Sequence, residues 1–274
     1  SANDLTIPSF TLHYIMQVSE YYRYTGDKSL VLAVKAKITE IIKFFRSQKE
    51  GKLLRAIEGA RVWNFYEWTD GMSGNRENRD YELVLNELYI CALNACTEMQ
   101  GVLGKEYDFT AEIEEMKVSV REKFFDSERG LYKSFAGVDD HFSELGNALA
   151  ILSGVVTGKD AVGLINRTLA DENIVRSSLS MKSFTYFAML KTDEKLFAKA
   201  VIKDICEIYG RMLDRGATSF WETEKGEADF GDAGSLCHGW STAPALFFPM
   251  LSHEFKRNHS WLTKEYYYET YRRK

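Results

Sequence analysis

Apolar residues recur along much of the chain at intervals of three and four, as on one face of an α-helix. Val31, Val34, Ile38, Ile41 and Phe45 are one such series. The pattern predicts helices over 31–45, 85–102, 113–124 and 198–212, and weaker ones near 10–24, 143–153, 161–170 and 179–190. With only three prolines in 274 residues, few positions break a helix. The pattern therefore predicts an all-α fold.

Glycines and capping residues mark the ends of these helices. Four predicted helices are followed by a glycine: Gly26, Gly104, Gly154 and Gly216. Asp27 and Asp193 are suited to cap the helices that follow them. This succession of a helix, a short turn and a second helix is typical of stacked α-hairpins. The turns follow no fixed period, which argues against a tetratricopeptide-like array and favours an α/α toroid formed by one domain over residues 1–274.

Two long segments lack the helical pattern, namely 47–79 and 216–239. Four of the five tryptophans lie within or beside these segments. Long irregular segments in compact domains are usually functional or disordered, and this many aromatic residues argues against disorder. We therefore expect the functional site to be built from these two segments, gathered at one rim of the fold.

The chemistry of the two segments consists of carboxylates beside aromatic rings. The residues are Glu67, Asp70, Glu222 and Glu224, with Trp63, Tyr66, Trp68 and Trp221, and His238 follows them. Aromatic faces stack on sugar rings, while carboxylates accept hydroxyl hydrogen bonds or transfer protons. This combination favours carbohydrate as the ligand. The alternative is that the tryptophans anchor the loops and the acids are only solvated.

Charge and composition exclude several other classes of partner. The net charge of −5 argues against general nucleic-acid binding, and no Lys/Arg cluster indicates a membrane surface. No apolar run approaches 18 residues, which argues against a transmembrane helix. The four cysteines are too scattered for a disulfide scaffold, and Cys91 and Cys96 fit small core positions in a helix.

Several segments resemble, in the same order, the α-L-rhamnosidases of glycoside hydrolase family 78. The string GATSFWE over 216–222 resembles that family's W-E segment, and SLCHGWSTAP over 235–244 resembles its H-G-W segment. Ile7–Phe10 with Tyr24–Asp27 is similar to its early helix pair, and Asn147–Ala150 also matches. Trp63 to Trp68 resembles its irregular segment, where an acid precedes a tryptophan.

This resemblance implies an (α/α)6 six-hairpin toroid and inverting hydrolysis of terminal α-L-rhamnosides. Glu222 occupies the family's general-base position, and His238 a sugar-contacting one. Glu67 and Asp70 are expected to bind sugar hydroxyls, and Trp68 and Trp240 to form an apolar wall. The full set of expected substrate-binding residues is Trp63, Glu67, Trp68, Asp70, Trp221, His238 and Trp240. No metal or cofactor is expected.

Two departures from the family pattern open an alternative function. The family's general acid precedes the stretch that begins here at Ile7, and its β-sandwich follows the barrel. The composition of 76–80 is similar to the acid segment, but it follows Trp68 and is expected to be a solvated turn. We therefore expect a fragment that is incomplete at the N-terminus and belongs with other domains of a longer parent. The alternative is a non-catalytic sugar-binding or structural remnant.

An acidic run at Asp139, Asp140 and Glu144 loosely resembles the magnesium motif of class I terpene synthases. No second metal motif accompanies it, and acids just before a helix also favour the positive end of its dipole. His253 and His259 are six residues apart, whereas zinc-binding helices place histidines at i and i+4. No metal site is therefore expected.

Overall fold

The computed structural model describes residues 5–69, 71–73 and 79–251, and these residues are mainly helical. The α-helices are α1 Pro8–Thr25, α2 Lys28–Ser47, α3 Leu83–Glu98, α4 Gln100–Leu103, α5 Thr110–Phe124, α6 Glu144–Leu152, α7 Gly158–Ala170, α8 Lys182–Asp214 and α9 Ala243–Leu251. Short 3-10 turns occur at Lys105–Tyr107, Gly226–Ala228 and Gly239–Ser241. The predicted helical segments are thus all present, with 85–102 divided between α3 and α4.

The turn between α1 and α2 forms as its sequence predicts. Gly26 adopts a left-handed φ of 67°, and its N–H donates to the carbonyl of Tyr22. This conformation places no strain on glycine and ends the helix. Asp27 then caps α2, because its carboxylate accepts a 2.7 Å hydrogen bond from the Ser29 N–H.

Helix α8 is interrupted at Asp193, whose backbone is extended with φ −160° and ψ 102°. The Asp193 carboxylate accepts a 3.0 Å hydrogen bond from the N–H of Leu196, as an N-cap residue does. The cap predicted at Asp193 is confirmed, and it begins the second half of α8.

The chain divides into two compact units, an N-terminal unit Ser1–Arg176 and a C-terminal unit Ser177–Lys274. In the N-terminal unit, α3 packs against α1, α5 and α6. Nearly every side chain of α3 is buried, including the amide of Asn86 and the carboxyl of Glu87 in its first turns. In the C-terminal unit α8 packs against α9, with the ring of Tyr186 against Phe247 at 5.2 Å between centroids.

Two small β-hairpins, absent from the sequence prediction, lie between helices of the N-terminal unit. Strands β1 Lys49–Glu50 and β2 Leu53–Leu54 pair antiparallel after α2. Strands β3 Phe125–Asp126 and β4 Leu131–Tyr132 pair in the same way after α5. The first hairpin lies between α2 and α3, and the second lies between α5 and α6. Helices α2 and α5 bury one apolar stripe, whereas α3 and α6 are buried on most sides.

The cysteines of α3 and the hydropathy of the helices were both addressed by the sequence. Cys91 and Cys96 are buried thiols within α3, which confirms that they are core residues. Over the described ranges, no helix combines the length and the apolar character needed to cross a bilayer.

Candidate active site

The first candidate segment, Trp63–Thr69, is held to its own unit by backbone hydrogen bonds. The Trp63 N–H donates to the carbonyl of Thr6 at 2.9 Å. The Tyr66 N–H donates to the carbonyl of Met72 at 2.9 Å, and Trp63 Nε1 donates to Ser73 Oγ at 3.0 Å. These bonds fold the segment back on itself without a regular strand or helix.

Aromatic rings form the surface of this segment. Phe65 contacts Trp68 at 4.7 Å between ring centroids and Trp63 at 5.0 Å. Trp63 and Trp68 are 5.8 Å apart, and Trp68 remains 40% exposed. The segment thus presents an indole that is supported from beneath by two other rings, an arrangement suited to stacking on a sugar.

Glu67 points inward from the same segment and is fully buried. Its Oε1 accepts a hydrogen bond from the hydroxyl of Thr69. The structure therefore gives Glu67 a contact that orders the loop, and its expected bond to a sugar hydroxyl stays a prediction. Asp70 lies outside the described residues.

A buried acid next to this segment was missed by the sequence analysis. Glu82, just before α3, is buried, and Tyr66 donates its phenolic hydrogen to Glu82 Oε2. Burial raises the pKa of Glu82 to about 7, although the Tyr66 hydrogen bond and the nearby charge of Arg79 both lower it. Arg79 in turn donates to the carbonyl of Gly71 at 2.6 Å. Glu82 is therefore a titratable anchor for the Trp63–Thr69 segment.

The second candidate segment, in the C-terminal unit, surrounds Glu222. Backbone hydrogen bonds join residues 220–222 to residues 235–238, from the Glu222 N–H to the Ser235 carbonyl and from the His238 N–H to the Phe220 carbonyl, both at 2.8 Å. The Glu222 side chain is 14% exposed, and its Oε2 accepts a 3.2 Å hydrogen bond from the Ser235 N–H. A carboxylate fixed by backbone and still open to solvent is suited to proton transfer.

His238 and Trp240 lie beside this carboxylate. The Nδ1 atom of His238 is 4.0 Å from Glu222 Oε1. The indole of Trp240 stands edge-on to the imidazole at 5.9 Å between centroids, and Trp240 is 50% exposed. The 3-10 turn Gly239–Ser241 follows His238 and separates it from α9.

Trp221 is buried beneath the loop that follows Glu222. The guanidinium of Arg215 lies 5.1 Å from the Trp221 ring centroid, and Gly226 packs on the ring so closely that a Cβ there would be 2.9 Å from it. The loop also approaches itself closely at Gly226 and Gly234, which form its neck. A Cβ at Gly234 would be 2.0 Å from the Gly226 carbonyl oxygen. Trp221 thus supports the loop that carries Glu222.

The carboxylate of Glu224, two residues after Glu222, forms an ion pair with an arginine. Its Oε2 accepts hydrogen bonds of 3.0 and 2.6 Å from Nε and Nη2 of Arg211 on α8. This ion pair, in which both guanidinium nitrogens donate to one carboxylate oxygen, attaches the loop to α8. Of the two acids, Glu222 is the better candidate for chemistry.

The acidic run before α6 forms structural contacts. Asp139 pairs with Lys133 at 2.7 Å, and Glu144 is buried in the first turn of α6, 3.6 Å from Arg176. The part of the chain described by the structure contains no group of three or more His, Cys, Asp or Glu side chains suited to hold a metal ion. His253 and His259 lie outside the described residues.

Comparison with solved structures reveals similar folds. A family 78 rhamnosidase of Bacillus sp. GL1 aligns with 89% of this chain at a TM-score of 0.75 and 22% identity. A rhamnosidase from Klebsiella oxytoca with rhamnose bound aligns with 88% at a TM-score of 0.75 and 17% identity. This chain spans 26% and 46% of those two chains, respectively. No curated protein matches the sequence.

The sequence also matches a family model described as the bacterial alpha-L-rhamnosidase 6 hairpin glycosidase domain, over residues 6–251. The match extends across both compact units and confirms the six-hairpin α/α class predicted from the sequence. The chain therefore belongs to the six-hairpin glycosidase domain family of the bacterial α-L-rhamnosidases.

Proposed function

We propose that this chain supplies the six-hairpin domain of an enzyme that hydrolyses terminal α-L-rhamnosides with inversion at the anomeric carbon. The observation that supports this most directly is the setting of Glu222. Its carboxylate is held by the Ser235 N–H, remains partly exposed, and lies beside His238 and an exposed indole. Membership of a glycosidase domain family supports a glycosidic bond as the one cleaved.

In this mechanism Glu222 is the general base. Oε2 is engaged by the Ser235 N–H, which leaves Oε1 to accept a proton from water as its oxygen attacks the anomeric carbon. A carboxylic acid on the opposite face of the sugar protonates the leaving oxygen, and in inverting enzymes the two carboxyls are roughly 6.5–9.5 Å apart to admit the water. The proposal assigns the base alone.

The exposed indoles account for sugar recognition in this proposal. Trp68 and Trp240 are 40% and 50% exposed, and rhamnose carries a methyl group and C–H faces that pack on indole. Trp63 packs against Trp68, and Trp221 packs under the loop that carries Glu222, while Glu67, Asp70 and His238 are the proposed polar contacts.

The proposal is tested with Glu222→Gln and, as a matched control, Glu224→Gln in the complete gene product. We expect Glu222→Gln to lower kcat for a nitrophenyl α-L-rhamnoside by a factor on the order of 10² to 10⁴, because the amide cannot accept the proton. Glu224→Gln should retain most of kcat. NMR of the first product should show the β-anomer, as inversion requires.

Four results would contradict parts of this proposal. Unchanged turnover in Glu222→Gln removes Glu222 from the mechanism. An α-anomer as first product removes inversion. A wild-type protein that binds rhamnose by calorimetry but hydrolyses no rhamnoside is the non-catalytic sugar-binding alternative, and one that does neither contradicts the substrate class.

A further inference from the structure

The guanidinium of Arg215 contacts the chain on both sides of Glu222. On the C-terminal side, Arg215 Nη1 donates to the carbonyl of Glu224, and Nη2 donates to the carbonyl of Lys225 at 2.9 Å. On the N-terminal side, the same guanidinium lies 5.1 Å from the ring centroid of the buried Trp221. Glu222 therefore lies within a stretch of chain that Arg215 contacts both before and after it.

Two carbonyl oxygens and an aromatic ring are partners that suit an arginine better than a lysine. The N–H donors of a guanidinium point outward in one plane, so different nitrogens can bond different carbonyls. Its positive charge is also attracted to an indole ring within about 6 Å. A lysine ammonium is a compact charge on a flexible stem and lacks this fixed fork. Arg215 therefore contributes a contact geometry as well as a charge.

Helix α8 determines where the Arg215 side chain begins. Arg215 is the residue that caps the C-terminus of α8, and its N–H donates to the carbonyl of Met212 at 3.1 Å. Met212 is buried, which anchors this end of the helix within the C-terminal unit. The C-terminal carbonyls of a helix also favour a nearby cation. Arg215 therefore joins a fixed helix end to the loop that carries Glu222.

Arg211 provides a comparison on the same helix. It lies one turn earlier on α8 and donates to the carboxylate of Glu224 through Nε and Nη2. Arg211 thus binds a side chain of the loop, whereas Arg215 binds the loop backbone. Both residues are exposed and carry one positive charge. A comparison of the two therefore separates support of the backbone from the presence of a nearby cation.

We propose that Arg215 is a positioning residue for Glu222, and that it fixes the backbone from which the carboxylate extends. This inference rests on the proposed function of Glu222. The Ser235 N–H holds Oε2, and Arg215 restrains the chain on either side, so that Oε1 keeps one orientation toward the attacking water. A base on a looser backbone is less often in the orientation that proton transfer needs. Loss of Arg215 therefore lowers kcat and leaves KM largely unchanged.

Amide hydrogen exchange of the complete gene product tests the structural part of the proposal. The Glu222 N–H donates to the Ser235 carbonyl, and the Ser235 N–H donates to Glu222 Oε2, so these two amides report on the frame directly. With single-residue resolution by mass spectrometry, we expect both to exchange several-fold faster in Arg215→Ala than in wild type or Arg211→Ala. Unchanged exchange in Arg215→Ala overturns the proposal. This measurement needs no substrate.

Kinetics with a nitrophenyl α-L-rhamnoside tests the catalytic part. We expect Arg215→Ala to lower kcat by about tenfold with KM within about twofold of wild type, and Arg215→Lys to fall between the two. Arg211→Ala, the matched control, should retain most of kcat. A loss confined to KM, full activity in Arg215→Lys, or equal kcat losses at both arginines would overturn the proposal. Melting temperatures show whether each variant is folded, and Arg215→Lys carries the comparison where Arg215→Ala is not.

A double-mutant cycle separates this inference from the proposed function. If Arg215 acts through Glu222, then Arg215→Ala should have little further effect on kcat in the Glu222→Gln background. Additive losses would mean that Arg215 acts independently and would overturn the inference. Wild-type turnover in Glu222→Gln refutes the proposed function and, with it, this inference. A large kcat loss in Glu222→Gln with unchanged exchange in Arg215→Ala refutes this inference alone.

Discussion

Asn86 and Asn147 make the same three hydrogen bonds in two different hairpins. Each Oδ1 accepts at 2.8 Å from a strand N–H, that of Leu54 or Tyr132. Each Nδ2 donates at 3.1 Å to the carbonyl of that same strand residue and at 2.9 Å to the carbonyl four residues earlier, which belongs to the N-cap residue of its own helix. A single buried amide thus joins each β-hairpin to the helix that follows it.

Removing one of these amides should be strongly destabilising. Asn147→Ala leaves the N–H and carbonyl of Tyr132 without these partners, and an unpaired buried polar group costs about 1–3 kcal/mol. We expect urea denaturation to show a loss of roughly 2–4 kcal/mol. Asn94→Ala is the matched control, because Asn94 donates one 3.3 Å bond to the Ser153 carbonyl, and it should lose less. Equal losses would contradict this account.

Trp68 should contribute to sugar affinity more than to stability. Trp68 is 40% exposed and packs against Phe65 and Trp63. We expect Trp68→Ala to weaken rhamnose binding by calorimetry by about threefold to tenfold, the equivalent of one aromatic contact. Phe125→Ala, at a similarly exposed aromatic residue on β3, is the control and should leave affinity unchanged. Equal affinities of wild type and Trp68→Ala would remove Trp68 from the sugar site.

The Tyr66–Glu82 hydrogen bond should stabilise the fold more at alkaline than at acid pH. The folded pKa of Glu82 is raised to about 7, so its carboxyl is protonated at pH 5 and ionised at pH 8.5. A hydrogen bond to a charged group contributes about 1.5–3 kcal/mol, against about 1 kcal/mol between neutral groups. Tyr66→Phe should therefore cost more unfolding free energy at pH 8.5 than at pH 5. The same cost at both values would show that the bond does not depend on ionisation.

Glu87, one residue after Asn86, should weaken the fold at neutral pH. It is fully buried, neither of its carboxyl oxygens has a hydrogen-bond partner among the described residues, and burial raises its pKa well above 4.5. The folded state therefore retains a proton that the unfolded state releases. Stability is full below about pH 4.5 and falls as pH rises, by at most about 1.4 kcal/mol per pH unit.

The variant Glu87→Gln removes this dependence. Chemical denaturation should show it gaining stability relative to wild type between pH 4.5 and 7, and little or none at pH 4. Glu122→Gln on the exposed face of α5 is the control, for which no such trend is expected. A constant difference between wild type and Glu87→Gln across this range would mean that Glu87 ionises normally in the folded protein.

The helices and their boundaries could be predicted because their signals are local. Apolar spacing identifies a buried stripe, and Gly26 or Asp193 marks a boundary through its own backbone or side chain. The β-hairpins could not be predicted, because strands of two residues show no alternation. Their partners, Asn86 and Asn147, lie 32 and 15 residues further along the chain.

The candidate site was only partly predictable for a related reason. Glu222, His238 and the tryptophans were selected by motif, and the structure adds the backbone frame around Glu222. Glu82 and Glu87 were missed because an acid within an apolar helical pattern is ordinarily read as facing solvent. Their burial results from α3 being packed on several sides, which depends on tertiary structure.

The close approach at the neck of the Glu222 loop restricts how this sequence can diverge. A single methyl group at residue 234 would lie 2.0 Å from the Gly226 carbonyl oxygen and force the neck open. The displaced segment would include Ser235, whose N–H holds Glu222. We therefore expect a change of Gly234 to alanine to displace the hydrogen bond that holds Glu222, and so to impair the base. Among homologues in which the general base is functional, we expect residue 234 to remain glycine even where the rest of the loop sequence has diverged.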